Sequence, residues 1–121
     1  MSGAIDLERL RMLSSLGLNR GHDVLAEIVT RFAASTTAEA AREAARNDDL
    51  ETATLHLHSL KGSASNLGAT RLARLAGALE RDLRAGAAFE ALGSRFDELN
   101  SAHVEAVLEL QRFMSDRTPL G

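Results

Sequence analysis

Residues 55–68 read LHLHSLKGSASNLG, and they belong to a longer segment with the apolar spacing of an amphipathic helix. Small and aliphatic side chains recur there three or four residues apart: Leu50, Ala53, Leu57, Leu60, Ala64 and Leu67. This spacing places them on one face of an α-helix. Gly68 follows the last of them, and glycine commonly ends a helix. The segment therefore predicts a helix with one buried stripe that closes at Gly68.

Helical spacing extends over most of the 121-residue chain, and no alternating strand-like segment bounded by turns is present. Apolar stripes cover residues 5–13, 25–32, 38–45, 50–67, 72–83 and 92–113. The alanine-rich run at 38–45 either continues or restarts the helix before it. Gly17 and Gly86 close the first and fifth stripes. The pattern predicts an all-α protein, an antiparallel four-helix bundle with a short additional N-terminal helix.

Two helix starts carry the pattern of a capping box, in which a side chain at the N-cap and a glutamate three residues later satisfy free backbone amides. Thr36 with Glu39 has this spacing, and so does Asp48 with Glu51. We expect the third and fourth stripes to begin at these residues.

Composition and length exclude several classes of protein. The length fits one domain, expected over residues 1–121 with a core at roughly 5–114 and a frayed tail at 115–121. The chain has no cysteine, which excludes disulfides and thiolate metal sites. The net charge of −3 argues against general nucleic-acid binding. Neither a bilayer-spanning apolar run nor a signal-peptide layout is present, so we expect a cytoplasmic monomer without membrane insertion.

Residues 58–84 are locally basic in this acidic chain. Lysine and arginine occur there at Lys61, Arg71, Arg74, Arg81 and Arg84, against the two acidic residues Glu80 and Asp82. Such a surface would steer an acidic partner protein toward it. A solvated helix face with incidental charges is the alternative interpretation.

His56 and His58 invite a metal-site or phosphate-loop interpretation, and the sequence disfavours both. On a helix, two residues two positions apart point about 160° away from each other, so the two imidazoles cannot bind one metal ion. A phosphate loop requires a preceding strand and a lysine after its second glycine, whereas Lys61 precedes both Gly62 and Gly68.

His58 lies away from the buried stripe, and its helical neighbours have a chemical interpretation. An exposed neutral imidazole is a competent nucleophile. Lys61, one turn later, can stabilise a phosphoryl group, and Gly62 leaves room for another protein to reach the ring. We expect Thr54, Leu55 and Ser65, on the adjacent turns, to contribute to docking and access. A surface histidine without such neighbours would not indicate a functional site. Lys61 is the single lysine of the chain, and its placement by chance is the competing explanation.

The segment HSLKGSASNLG resembles the H-x-x-K-G-x-x-x-x-x-G signature of the histidine-containing phosphotransfer (Hpt) domain of bacterial two-component phosphorelays. The resemblance extends over roughly residues 5–114, including the apolar helix that ends at Phe32 and the segment LAGALERDLRAG after the motif. By this resemblance His58 is the phosphorylated residue. Lys61 and Gly62 correspond to the motif residues that accompany that histidine, and Gly68 corresponds to the glycine that closes the motif helix. The resemblance also implies a four-helix bundle.

The resemblance implies a phosphocarrier that relays a phosphoryl group between receiver-domain aspartates. Its partners would be receiver domains of response regulators and hybrid histidine kinases. It would use no cofactor or metal of its own, because Mg²⁺ is expected on the receiver, and it would have no ATP-dependent kinase activity. One alternative is a helical module that binds a receiver without being phosphorylated. A histidine kinase fragment is the other, but no kinase domain or hairpin of two long helices is present.

The remaining histidines have ordinary interpretations. His103 falls within the apolar stripe of the last segment and is expected in the core or at its boundary. His22 lies near the start of the second stripe. Neither is followed by a lysine and a glycine on the next turn.

Overall fold

The computed structural model describes residues 5–17 and 24–117. These residues form six helices: α1 (Leu7–Gly17), α2 (Val24–Ala34), α3 (Thr37–Arg46), α4 (Leu50–Asn66), α5 (Thr70–Arg84) and α6 (Phe89–Arg117). No strand occurs within the described ranges. The prediction of an all-α protein is confirmed.

Helices α3 to α6 form the bundle. Helix α4 packs against α3 and α5, and α6 packs against the same two helices on the opposite side. This closed ring of contacts is the predicted four-helix bundle. Helix α2 packs on α6, and α1 packs on α2. The alanine-rich run therefore restarts a helix after a break at residues 35–36, and α1 is the short additional helix expected at the N-terminal end.

Both predicted capping boxes are wrong in detail. Thr36 occupies the N-cap position of α3 but makes no side-chain capping bond, and the Ser35 hydroxyl accepts from the Thr37 amide instead, at 3.2 Å. Helix α4 is capped by Asp49, whose carboxylate accepts from the Thr52 amide at 3.2 Å. Asp48 adopts a left-handed φ of 64°. Aspartate tolerates this conformation, so the turn takes Asp48 and leaves its neighbour as the cap.

The core is aliphatic, with alanines at the close helix contacts. The largest fully buried side chains include Leu57, Leu67, Leu72, Leu79, Phe96 and Leu99. Burying each leucine contributes about 1.5–3 kcal/mol relative to leaving it exposed. Leu50 departs from the predicted stripe: it is 48% exposed. It is the first residue of α4, and the buried residues of that helix begin at Ala53.

A three-residue turn at 67–69 joins α4 to α5 and makes them antiparallel. Gly68 has a φ of +75°, and a Cβ there would stand 3.0 Å from both the Cβ and the carbonyl oxygen of Asp6. The Asp6 amide donates to the Gly68 carbonyl at 2.7 Å, and Arg9 Nε donates to the Asn66 carbonyl at 3.1 Å. The start of α1 thus covers the end of the motif helix, and only glycine suits the turn.

Among the described residues, no helix combines the length and the hydropathy needed to cross a membrane.

Candidate functional site

His58 lies in the middle of α4, on the face turned away from the bundle axis. Leu57 and Leu60 on the opposite side of α4 are buried, and this fixes the rotation of the helix. As a result the His58 side chain is 69% exposed. An imidazole held on a rigid helix in this way is accessible to a large partner.

Glu80, on α5, is the partner of His58 inside the molecule. Its side chain is only 11% exposed, and its Oε2 lies 3.4 Å from His58 Nδ1. The same oxygen accepts from Arg84 Nε at 3.2 Å and from Arg84 Nη2 at 3.0 Å. Burial by itself raises the pKa of Glu80, but the contacts with Arg84 and His58 outweigh it and hold that pKa below its ordinary value. Glu80 is therefore a carboxylate, anchored by Arg84 and directed at the imidazole.

The position of Glu80 distinguishes the two ring nitrogens of His58. A carboxylate only accepts hydrogen bonds, so the tautomer with a proton on Nδ1 is favoured beside it. In that tautomer the lone pair is on Nε2, which points away from Glu80. The free lone pair of the ring thus lies on the nitrogen remote from Glu80, in a side chain that is 69% exposed.

Lys61 and Gly62 occupy the turn that follows His58. A Cβ built at Gly62 meets nothing within 4 Å, so the glycine is not required by packing. The aliphatic part of Lys61 lies across Gly77 of α5: a Cβ at position 77 would be 3.4 Å from Lys61 Cδ and 3.5 Å from its Cε. The aliphatic part of Lys61 thus passes close to α5 where Gly77 leaves room for it.

The three expected docking residues differ in their surroundings. Leu55 is 61% exposed, and Ser65 is exposed as well. Thr54 is only 4% exposed, and its hydroxyl donates to the backbone carbonyls of Leu50 and Glu51. A docking role for Thr54 is not supported, because its side chain is buried and its hydroxyl is satisfied within α4.

The other histidines lie elsewhere. His56 is half-buried on α4, on a different face from His58. His103 Nε2 is 2.9 Å from the Phe32 carbonyl oxygen, and its ring meets the Phe32 ring edge-on at a centroid distance of 4.8 Å. It joins α6 to α2 at the core boundary, as expected. His22 lies outside the described residues. Within the described ranges, no three histidine or acidic side chains are grouped so that they could hold a metal ion.

Sequence reasoning did not assign Glu80 or Gly77 to the site. A signal for both existed in the short turn between α4 and α5. In an antiparallel hairpin, residues at similar distances from the turn face each other. His58 and Glu80 are related in this way around the turn at 67–69, and so are Lys61 and Gly77.

The comparisons with known proteins agree with this geometry. The family model of the Hpt domain matches residues 24–110, which is more than half of the chain and includes both His58 and Glu80. A search of curated proteins and a search of solved structures each give no match. Hpt domains are phosphotransfer modules of two-component signalling, phosphocarriers rather than kinases, and they interact with receiver domains. With its helical bundle, its exposed motif histidine and this match, the chain belongs to the Hpt domain family.

Proposed function

We propose that this protein carries a phosphoryl group on Nε2 of His58. The group comes from an aspartyl phosphate on one receiver domain and passes to an aspartate on another. The partners are the receiver domains of response regulators and hybrid histidine kinases. The observation that carries the proposal is the His58 imidazole, 69% exposed, whose Nδ1 lies 3.4 Å from the largely buried carboxylate of Glu80.

The transfer is a displacement at phosphorus. The Nε2 lone pair attacks the phosphorus atom, an N–P bond forms, and the P–O bond to the aspartyl carboxylate breaks, releasing that carboxylate. The ring keeps its Nδ1 proton and becomes positively charged. Glu80 accepts from that Nδ1–H, so its carboxylate stabilises the charge that develops. In the second half-reaction a carboxylate attacks phosphorus and Nε2 leaves.

Lys61 and Gly62 support the same step. The ammonium of Lys61 offers positive charge one turn from His58, where the transferring phosphoryl group spreads negative charge over its oxygens. Gly62 leaves the next turn of the helix without a side chain, so a receiver can bring its aspartate within in-line distance of the ring.

The chain contributes no nucleotide chemistry in this proposal. Its sequence contains no phosphate-loop motif for ATP. Any Mg²⁺ that the reaction needs belongs to the acidic pocket of the receiver. The residues of this chain present the nucleophile, hold its proton at Nδ1 and supply positive charge.

The test is to incubate the protein with a panel of receiver domains phosphorylated by acetyl phosphate. We expect an acid-labile phosphorylation that is absent from His58→Gln and retained by the matched variant His56→Gln, with the helical circular dichroism of both unchanged. Nitrogen-15 NMR of the labelled ring should place phosphorus on Nε2. Label on His56, or full labelling of His58→Gln, would refute the assignment. Receiver binding without any labelling would favour the non-phosphorylated interaction module.

A further inference from the structure

A groove runs between α4 and α5 beside His58. Its volume is about 670 Å³, and it is open to solvent. The residues of interest along it are Lys61 and Ser65 from α4, and Arg74, Gly77, Ala78 and Arg81 from α5. Lys61 and Ser65 follow His58 by about one and two helical turns on the same face of α4. The groove is therefore a continuation of the surface that presents the imidazole.

Two arginines of the basic segment are neutralised within the protein. Arg71 lies 3.4 Å from Glu98 and 3.5 Å from Glu105, so α6 supplies both of its acidic partners. Arg84 is held by Glu80 at 3.0 Å. These two cations are used for packing α5 against its neighbours and for anchoring Glu80.

The other three cations of the segment are unpaired and converge on the groove. Lys61, Arg74 and Arg81 have neither an acidic partner nor a side-chain hydrogen bond in the part of the chain that the structure describes. Gly77 forms the floor between them: a Cβ there would be 3.4 Å from Lys61 Cδ and 3.7 Å from Arg81 Nη1. None of the described residues that line the groove is acidic.

This arrangement is unfavourable for the isolated protein. Like charges brought together repel one another. The chain has 17 acidic residues against 14 basic ones, yet none of the acidic residues described is paired with these three cations. An acidic surface placed in the groove would relieve the repulsion. Three cations in a protein of net charge −3 are too few to hold a nucleic-acid backbone, so an acidic protein surface is the better match.

We infer that this groove selects the receiver domain, and that Arg74 and Arg81 are its specificity-determining residues, binding carboxylates on the receiver surface that borders the phosphorylation site. The inference rests on the proposed function, because it takes the receiver to be the molecule that approaches His58. It adds the side of approach: the receiver lies over α4 and α5, and its acidic edge follows the groove toward the start of α5.

The experiment measures phosphoryl transfer from the receiver domain that labels the wild-type protein fastest, as a function of receiver concentration and salt. In the double variant Arg74→Ser/Arg81→Ser, the receiver concentration for half-maximal transfer should rise about tenfold or more, while the maximal rate stays within about twofold. The dependence of the association rate on salt should also become shallower. The matched control is Arg11→Ser/Arg112→Ser, which removes two exposed arginines from α1 and α6 and should change neither quantity.

A second pair of variants tests the groove without removing its arginines. Ala78 lies three residues before Arg81 and four after Arg74, so Ala78→Glu places a carboxylate between the two. We expect it to raise the half-maximal receiver concentration much more than the isosteric Ala78→Gln does. Equal effects of the two substitutions would mean that shape, and not charge, governs the groove, which would contradict the inference.

A donor that needs no docking separates the two proposals. Phosphoramidate transfers its phosphoryl group to a histidine nitrogen with release of ammonia, and it should label wild type and Arg74→Ser/Arg81→Ser equally. If neither phosphoramidate nor any receiver labels wild type, the proposed function fails. If wild type is labelled normally and the double variant has unchanged receiver kinetics, the groove inference alone fails. Unchanged receiver kinetics with lost binding to phosphatidylserine vesicles would assign the groove to a membrane surface and overturn the inference.

Discussion

His58 and Glu80 meet across the interface of α4 and α5, with Nδ1 3.4 Å from Oε2. The imidazole of His58 is exposed while the Glu80 side chain is largely buried, so the carboxylate contacts one ring nitrogen and leaves the other free. Arg84 holds the carboxylate through two further contacts. The site therefore spans two helices, although its recognisable sequence motif lies on one of them.

Removing the carboxylate should change the tautomer of His58. In Glu80→Met, which keeps the length of the side chain but cannot accept strongly, the Nδ1–H tautomer should lose its preference, as measured by long-range proton–nitrogen NMR of the ring. Transfer should slow by up to about tenfold, because one such hydrogen bond contributes about 0.5–1.5 kcal/mol. Glu80→Gln, whose amide oxygen can still accept, should lie between the two. An unchanged tautomer ratio in Glu80→Met would contradict the positioning role.

Lys61 should act on the rate more than on receiver binding. Lys61→Ala removes positive charge near the transferring phosphoryl group, so the rate at saturating receiver should fall by at least about tenfold. The receiver concentration for half-maximal transfer should change less than the rate does. Arg112→Ala, which removes one charge from the exposed face of α6, is the control. If Lys61→Ala transferred phosphoryl groups at the wild-type rate at saturating receiver, the proposed role of Lys61 in the transfer step would be contradicted.

Gly62 should show opposite effects on stability and on transfer. No atom lies within 4 Å of a Cβ at position 62, so Gly62→Ala should raise the free energy of unfolding in urea by about 0.5–1 kcal/mol. The added methyl group should nevertheless slow transfer, and Gly62→Leu should nearly stop it. Gly93 on α6 is a matched control because its Cβ position is equally open, so Gly93→Ala should stabilise the protein without slowing transfer. Destabilisation by Gly62→Ala would show that the glycine is required by packing or backbone conformation. Normal transfer by Gly62→Leu would show that the receiver docks elsewhere.

The contribution of Glu80 to stability should depend on pH in a defined direction. Its pKa in the folded protein lies below the ordinary value of 4.5, so folding favours the carboxylate. The resulting stabilisation is present above that ordinary value and is lost as the pH falls through the folded-state pKa. The difference in unfolding free energy between wild type and Glu80→Gln should therefore be larger at about pH 5.5 than at about pH 3. A difference that grows on acidification would show that the contacts with Arg84 and His58 do not stabilise the charged form.

Local periodicity determined much of this protein. The exposure of His58, the placement of Lys61 and Gly62 on its next turn, and the end of α4 at Gly68 all follow from residues within one helix. A helix of 3.6 residues per turn fixes which side chains share a face, and a buried stripe fixes which face turns outward. For that reason one segment sufficed to predict that His58 is exposed, and the same spacing along the chain predicted the all-α class. Phosphorylation of His58 stays a prediction.

Only the tertiary structure decided what lies across from that face. Three features depend on the register between helices: the contact of His58 Nδ1 with Glu80, the position of Lys61 over Gly77, and the pairing of Arg71 with α6. Packing of the whole core sets that register, and no spacing within one helix encodes it. The same holds for Thr54, which lies one helical turn before His58 on α4 and is nevertheless buried in the folded protein. Short-range periodicity thus predicted the exposed histidine, whereas its carboxylate partner and the neighbouring groove exist only where two helices meet.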